Sequence, residues 1–293
     1  MERKPNLFII GAPKCGTTAL ATWLSGHPEI FFSRSKEPHF FSSDYKLTET
    51  LDDYLKFFSA SCDSDKFLAE ASVWYMHSST AVENILKFNK NSRFLVMLRN
   101  PVEMVFSMHQ QQLFNGNELI RDVSRAIEKS DERLAGVSVG VRAGYPPKHL
   151  AYLKSCALSW QLERVMQAVP SDQLHIVLHD DLKGEPQTTY GKVLDFLDVE
   201  PFYPESFEHI NKARVRRSFV LDSLVLKMVS IKAAIGVRRS LGVMSSLRRW
   251  NQKLAPPKKF EAPTKALLCD YFQSDVQKLE RLLGRDLSGW IDR

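Results

Sequence analysis

Short apolar runs alternate with longer amphipathic stretches along most of the chain. The short runs predict buried strands, and the longer stretches carry apolar residues at helical spacing. This alternation predicts an α/β fold, with a central parallel sheet flanked by helices. The predicted strands are Leu7–Ile10, Ile30–Phe32, Phe67–Ala71, Phe94–Leu98 and His175–Leu178. The predicted helices are Thr17–Ser25, Ser79–Phe88, Pro101–Phe114, Leu150–Ala168, Pro186–Leu197 and Thr264–Leu283.

Composition and length are those of an ordinary globular protein. The chain has 293 residues, of which 44% are hydrophobic and 25% charged, and this excludes a disordered or collagen-like chain. The length favours one domain over residues 1–293. Four cysteines lie far apart without a Cys/His cluster, which excludes a disulfide scaffold and a zinc module. With no signal-peptide core and no uncharged apolar span, we expect a cytoplasmic protein and leave peripheral membrane attachment open.

Positive charge is concentrated in one segment. The net charge is +6, and the segment from Lys212 to Lys259 alone carries thirteen Lys and Arg residues against one acid, Asp222. This basic segment is predicted to be helical and to have a specific anionic partner. An anionic membrane surface, an anionic acceptor molecule and a merely solvated helical face all remain open. Nucleic acid is disfavoured because aromatic residues are few there.

The strongest local motif follows the first predicted strand and reads Gly-Ala-Pro-Lys-Cys-Gly-Thr-Thr over residues 11–18. Backbone N–H groups at a helix start have no internal partners and can hold a phosphate. The spacing of Gly11 and Gly16 matches the nucleotide-binding P-loop, but Thr17 stands where that loop has lysine. Lys14 lies inside the turn instead, which suits a shorter phosphosulfate or diester leaving group better than the β- and γ-phosphates of ATP. A plain strand–turn–helix would also give this local pattern.

Two further clusters carry chemistry. Arg99 follows the predicted strand Phe94–Leu98, and ligands of open parallel sheets bind beyond the carboxyl ends of the strands. Arg99 is therefore placed for a bidentate phosphate contact, although alone it would more commonly form a surface ion pair. Glu37 and His39 lie directly before a Phe40–Phe41 pair that could exclude water from them. These groups are candidates for proton transfer.

Together these motifs resemble the sulfotransferases that use 3′-phosphoadenosine 5′-phosphosulfate (PAPS), particularly their bacterial and heparan-sulfate-type branch. Residues 11–18 are similar to that family's 5′-phosphosulfate loop, and residues 99–107 to its 3′-phosphate motif. The segment 209–259 begins like its cofactor-covering loop. Further similarity at residues 36–41, 69–75 and 283–290 extends the resemblance over nearly the whole chain.

The resemblance implies a single P-loop-like domain that transfers a sulfuryl group from PAPS to a hydroxyl or amine of a carbohydrate, lipid or small molecule. It implies in-line displacement without metal, with adenosine 3′,5′-bisphosphate as product. Glu37 would be the base and Lys14 would stabilise the leaving phosphate, while His39 would orient the acceptor, share the proton or merely pack. The implied cofactor contacts are Lys14, Cys15, Gly16, Thr17, Thr18, Arg99, Ser107, Arg217 and Ser218. The alternatives are a P-loop kinase-like phosphotransferase and an anion-binding or peripheral membrane protein with a vestigial site.

The chain departs from the family at one position. The heparan-sulfate branch commonly has a lysine after the glutamate of the third strand motif, but here Ala71 follows Glu70. Lys14 or another cation would then carry more of the charge, and a polysaccharide acceptor becomes less certain. We expect Glu70 to contact the acceptor or to cap a neighbouring helix. Segments Ser42–Tyr54 and Asn115–Lys148 are expected to be loops that build the acceptor pocket.

Overall fold

The computed structural model describes residues 3–207 and 261–292, together with the backbone of two short strands at 214–216 and 252–254. Five parallel strands form the central sheet in the order β2-β3-β1-β4-β5. Their bounds are β1 Leu7–Gly11, β2 Ile30–Phe32, β3 Phe67–Ala71, β4 Arg93–Leu98 and β5 Leu174–Leu178. The predicted α/β architecture with a central parallel sheet flanked by helices is therefore confirmed.

The two central strands form the core of the sheet. Every residue of β1 is buried, and so is every residue of β4 after Arg93, because helices cover both faces of a parallel sheet. Phe8 on β1 stacks against Phe94 on β4 with ring centroids 6.0 Å apart. It also meets Phe41 edge to face at 5.8 Å. Through this contact the core supports the segment that carries Glu37 and His39.

Eleven α-helices are described. They are α1 Thr17–Leu24, α2 Leu51–Lys56, α3 Ala81–Phe88, α4 Pro101–Asn115, α5 Val123–Glu128, α6 Ser130–Leu134, α7 Tyr152–Cys156, α8 Ser159–Ala168, α9 His179–Gly184, α10 Pro186–Leu197 and α11 Ala262–Leu283. Local signals explain the bounds of α4, which lies beside the site. Pro101 occupies its first turn, Asn100 caps it by accepting two backbone N–H groups, and Gly116 ends it in the left-handed region at φ 74°.

The prediction of one helix over Leu150–Ala168 is wrong. The structure has a 3-10 turn at Pro147–Leu150 and then α7 and α8, which are separated at Ala157 and Leu158. The carboxylate of Asp275 on α11 caps the start of α8. It accepts the N–H of Leu158 at 3.0 Å, and it accepts the N–H and the hydroxyl of Ser159 at 3.0 and 2.6 Å. This cap is supplied from 116 residues along the chain, so helical periodicity alone could not reveal the break.

The segment Asn115–Lys148 also differs from the expected loop. It contains α5 and α6, and a buried ion pair joins Arg133 to Glu118 through bonds of 2.8 and 2.9 Å. Neither side chain is exposed, and the hydroxyl of Tyr152 donates to the same carboxylate at 2.8 Å. Buried charges persist only with such partners, so this pair fixes the segment against α7.

Most of the basic segment lies outside the described residues, and so do Arg217 and Ser218. The two described pieces, β6 Arg214–Arg216 and β7 Gln252–Leu254, pair as antiparallel strands. The cofactor-covering role of 209–259 and its anionic partner therefore stay predictions. In the part of the chain that the structure describes, no helix combines the length and apolar character needed to cross a membrane.

Candidate active site

A cavity of about 670 Å³ opens where the parallel strands end. Loops after each of the strands β1 to β5 contribute to its lining, as expected for a ligand site of an open parallel sheet. Seven of the residues that the sequence singles out meet there, namely Lys14, Gly16, Thr17, Thr18, Glu37, Arg99 and Ser107. Residues up to 93 positions apart in sequence thus share one pocket.

The loop after β1 needs glycine at both of its ends. Gly11 has φ 135°, and a Cβ there would lie 2.5 Å from the carbonyl oxygen of Val73. Gly16 has φ 93° and is the N-cap of α1, where it offers no side chain to the first backbone N–H groups. Thr17 and Thr18 begin the helix on the cavity wall. The positive end of α1 is therefore available to an anion.

Lys14 lies at the centre of the positive charge. Its backbone is left-handed at φ 66°, and its ammonium donates to the side-chain oxygen of Gln111 at 3.0 Å. Burial foremost, and then the nearby cations Arg99 and Lys36, hold the pKa of Lys14 below its usual range. Three cations thus crowd one pocket, and an anionic ligand would relieve their repulsion.

Arg99 and Ser107 line the part of the cavity that lies beside the loop and along α4. Arg99 donates to the carbonyl oxygen of Lys14 at 3.2 Å and to the carboxylate of Glu103 at 2.6 and 3.1 Å. The Arg99 side chain is 19% exposed and that of Glu103 is 45% exposed, so the ion pair that the sequence analysis allowed for is present and half-buried. Ser107 and Gln111 follow Glu103 at four-residue intervals along α4, and both line the cavity from the same side of that helix. Arg99 thereby joins the phosphate loop to α4.

Glu37 and His39 lie on the segment that follows β2. Both have left-handed backbones, at φ 55° and 46°. The Glu37 carboxylate lines the cavity with 32% of its side chain exposed, and the His39 ring approaches it at 3.4 Å. His39 itself is buried and packs against the rings of Tyr45 and Tyr75, with centroids 5.0 and 5.8 Å away. His39 thus lies behind Glu37 and outside the cavity lining, and its role toward an acceptor stays a prediction.

Besides His39, two residues from the sequence analysis lie away from the cavity lining. Cys15 is fully buried, and burial raises the pKa of its thiol to about 12. Its backbone N–H donates to the carbonyl of Ala12 at 3.4 Å, and its contact with a cofactor stays a prediction. Glu70 is fully buried and accepts hydrogen bonds from three side-chain hydroxyls. The expectation that it contacts the acceptor or caps a helix is wrong.

Sequence reasoning missed the contributions of Lys36 and Gln111. Lys36 lines both the main cavity and an adjoining one of about 260 Å³, which Ala71 also lines. A cation therefore reaches the surroundings of Ala71 from another loop. Gln111 could have been found from its position four residues after Ser107, but its contact with Lys14 spans 97 positions. Among the described residues, no cluster of His, Cys, Asp and Glu has the arrangement of a metal site.

A family model described as the sulfotransferase domain matches residues 4–218. The chain belongs to this sulfotransferase family. It is 32% identical over 132 residues to the membrane-associated sulfotransferase kil1 of Dictyostelium discoideum, covering 44% of this chain and 27% of that protein. It is 29% identical over 212 residues to the human bifunctional heparan sulfate N-deacetylase/N-sulfotransferase 3, covering 69% of this chain and 23% of that protein.

Two further comparisons agree. The mouse heparan sulfate glucosamine 3-O-sulfotransferase 5 is 27% identical over 216 residues, covering 73% of this chain and 59% of that protein. The chain thus spans less than two thirds of the length of these curated relatives. The crystal structure of a sulfotransferase from Alicyclobacillus acidocaldarius matches with a TM-score of 0.74 and 23% identity over 99% of this chain and 100% of that one. This match shows the shared fold.

Proposed function

We propose that the protein transfers a sulfuryl group from PAPS to a hydroxyl or amine of an acceptor molecule. The observation that carries this proposal is the convergence of Lys14, Arg99 and Glu37 on one cavity beside the N-terminus of α1. Two cations and a helix N-terminus suit a highly anionic donor, and a carboxylate beside them suits proton removal. Membership of the sulfotransferase family supports the same reaction.

The residues present fit PAPS by their charge and by the space at the loop. The helix start at Gly16 carries no Cβ, and its first turn is free of acidic residues. Lys14 and Lys36 would meet the 5′-phosphosulfate, and Arg99 with Ser107 would hold the 3′-phosphate. When bound, the donor supplies the sulfuryl group and keeps the electron pair of the broken S–O bond on its departing phosphate.

The chain's own groups supply charge balance and proton transfer. Glu37 removes the proton of the acceptor hydroxyl as the oxygen becomes nucleophilic. A bound anionic donor relieves the repulsion between Lys14 and the neighbouring cations. Lys14 then balances the negative charge that grows on the leaving phosphate oxygen. Gln111 holds the ammonium of Lys14 near that position through its 3.0 Å hydrogen bond. His39, packed behind Glu37, limits how that carboxylate can turn.

The rest of the cavity bears on the acceptor. Its lining there includes the side chains of Leu47, Trp74 and Phe114, and the amides of Gln112 and Asn115. Apolar rings with a few amides recognise a mostly uncharged molecule with hydroxyl groups. In this proposal the described cations of the cavity, Lys14, Lys36 and Arg99, bind the donor. We therefore infer an acceptor whose reacting part is uncharged.

Nucleotide binding distinguishes this proposal from a kinase-like phosphotransferase. Adenosine 3′,5′-bisphosphate without metal should raise the melting temperature, because a ligand at a hundred times its Kd stabilises the folded state by about 2.7 kcal/mol. ATP with Mg²⁺ at the same concentration should do much less. Incubation with PAPS and a panel of alcohols and amines, read by mass spectrometry, then identifies the acceptor. Stabilisation by ATP–Mg²⁺ alone would overturn the proposal.

A further inference from the structure

Glu70 is a fully buried carboxyl group on β3, the strand that leads to Val73 and Trp74 in the cavity lining. It has no exposed surface, and three hydroxyl groups donate to it. Ser72 donates to Oε2 at 2.6 Å, while Tyr54 and Tyr75 donate to Oε1 at 3.0 and 3.1 Å. An ionised carboxylate is an acceptor only, so three hydroxyl donors satisfy it well. Since Glu70 lines neither described cavity, it does not reach the acceptor.

Two of these hydroxyls continue to the segment that carries the proposed base. The oxygen of Ser72 accepts the backbone N–H of His39 at 3.1 Å. The oxygen of Tyr75 accepts the backbone N–H of Phe41 at 3.2 Å. Because Glu70 takes the hydroxyl protons of Ser72 and Tyr75, their lone pairs are directed at these two N–H groups. Tyr54 gives the carboxylate the same kind of bond but has no such connection.

The segment that carries Glu37 and His39 depends on these hydrogen bonds for its backbone conformation. Glu37 and His39 hold left-handed backbones at φ 55° and 46°, a conformation uncommon for residues with a side chain. Such a conformation persists when surrounding contacts fix it. The two hydrogen bonds that lead back to Glu70 act at His39 and Phe41, directly after Glu37. The His39 ring then meets the Glu37 carboxylate at 3.4 Å.

We propose that Glu70 is a positioning residue for the reaction: through Ser72 and Tyr75 it fixes the backbone at His39 and Phe41 and so presents Glu37 to the cavity. The inference rests on the proposed function, because it gives Glu37 the role of base. It also accounts for a buried carboxyl group that neither touches substrate nor caps a helix. Glu70 thus acts on the reaction through Glu37.

The two tyrosines provide a matched pair of variants. Tyr75→Phe and Tyr54→Phe each remove one phenol bond to the same Glu70 oxygen, and each keeps its ring against Phe41. Only Tyr75→Phe breaks a bond to the Phe41 backbone. Ser72→Ala breaks the bond to His39, and Ser72→Thr restores a hydroxyl. Assays belong at pH 8, because burial raises the pKa of Glu70 to about 7 and the carboxyl group is then ionised.

Two measurements test the inference. Tyr75→Phe and Ser72→Ala should speed hydrogen exchange of the peptide 36–42 and lower the single-turnover rate at least tenfold. Both should bind adenosine 3′,5′-bisphosphate within about twofold of the parent protein. Tyr54→Phe should leave exchange and rate within twofold, and Ser72→Thr should recover most of the rate. Unchanged exchange in Tyr75→Phe and Ser72→Ala, or an equal rate loss in Tyr54→Phe, would overturn the positioning role.

Glu37→Gln separates this failure from failure of the proposed function. If Glu37→Gln is slow while Tyr75→Phe and Ser72→Ala are fully active, Glu37 remains the base and the positioning role of Glu70 is refuted. A Glu37→Gln variant with the parent rate removes Glu37 from the chemistry and with it the role of Glu70, while sulfuryl transfer from PAPS itself stands. Parent-like binding of adenosine 3′,5′-bisphosphate in every variant would show that neither result comes from a damaged donor site.

Discussion

The ammonium of Lys14 donates to the side-chain oxygen of Gln111 at 3.0 Å, which ties the loop between β1 and α1 to the C-terminal half of α4. Gln111 in turn donates to Asn115 at 2.9 Å, one helical turn further along. This chain of bonds holds the ammonium in a pocket where burial and two neighbouring cations lower its pKa. The protein's own groups therefore hold the lysine in place, and fixed donors of this kind give strong electrostatic stabilisation of a developing charge.

Lys14→Ala should lower kcat/KM on the order of a hundredfold or more, as expected when one donor to a developing negative charge is removed. Gln111→Leu provides the graded control. It removes one neutral partner of the ammonium, worth about 1 kcal/mol or roughly fivefold. Steady-state kinetics with PAPS as the varied substrate measures both variants. A Lys14→Ala enzyme with parent kinetics would refute the assignment of the loop.

Arg99→Ala should weaken binding of adenosine 3′,5′-bisphosphate by about 1.5–3 kcal/mol, the usual worth of a hydrogen bond to a charged group. Adenosine 5′-phosphate lacks the 3′-phosphate and should lose far less. Isothermal titration of both nucleotides with both proteins gives the comparison. Equal losses for the two nucleotides would contradict a role for Arg99 at the 3′-phosphate and point to collapse of the loop through its bond to the Lys14 carbonyl.

Whether a feature could be predicted from the sequence depends on how far apart its interacting residues lie along the chain. The β1–loop–α1 unit was predictable, because an apolar strand, Gly11, Gly16 and an amphipathic helix follow one another directly. The contact between Lys14 and Gln111 was not predictable, because it joins residues 97 positions apart through tertiary packing. For the same reason the break before α8 was not predictable, because the carboxylate that caps α8 belongs to Asp275 on α11. Local patterns encode elements, but packing alone decides which side chains meet.

The buried pair of Arg133 and Glu118 should be costly to break. Arg133→Met leaves the Glu118 carboxylate buried without its cation, and such a change costs about 3–5 kcal/mol of unfolding free energy. Adding Glu118→Gln should recover part of that loss, because it removes the unpaired charge and keeps an oxygen for the hydroxyl of Tyr152. Urea denaturation measures all three proteins. A double variant as unstable as the single one would contradict the argument.

Glu70 should make stability depend on pH near neutrality. Burial raises its pKa from 4.5 to about 7, so the folded state binds its proton more strongly than the unfolded state does. The resulting stabilisation is complete below about pH 4.5 and is lost as the pH rises through about 7, amounting to roughly 3 kcal/mol. Urea denaturation at pH 5, 6, 7 and 8 should show this fall for the parent and a shallower one for Glu70→Gln. Identical slopes would exclude Glu70 as the cause.

Glu37→Gln should separate chemistry from binding. Glutamine keeps the shape of the side chain and some hydrogen bonding, but it cannot accept the proton of an acceptor hydroxyl. Turnover should fall by about 10²–10⁴, the usual contribution of a positioned base. Affinity for adenosine 3′,5′-bisphosphate should change roughly fivefold or less, because the carboxylate is partly exposed and its electrostatic effect on Lys14 is the smallest of those acting there.

The pH profile and the acceptor decide whether this loss reflects proton transfer. If Glu37 is the base, the single-turnover rate of the parent should fall more steeply toward acidic pH than the rate of Glu37→Gln. Single-turnover kinetics are needed because product release would otherwise hide the chemical step. An acceptor with an acidic hydroxyl, such as a nitrophenol, needs little help in losing its proton and should be slowed much less than an aliphatic alcohol. Equal slowing of both acceptors would mean that Glu37 orients the acceptor, and a retained rate would transfer the base role to His39 or to water.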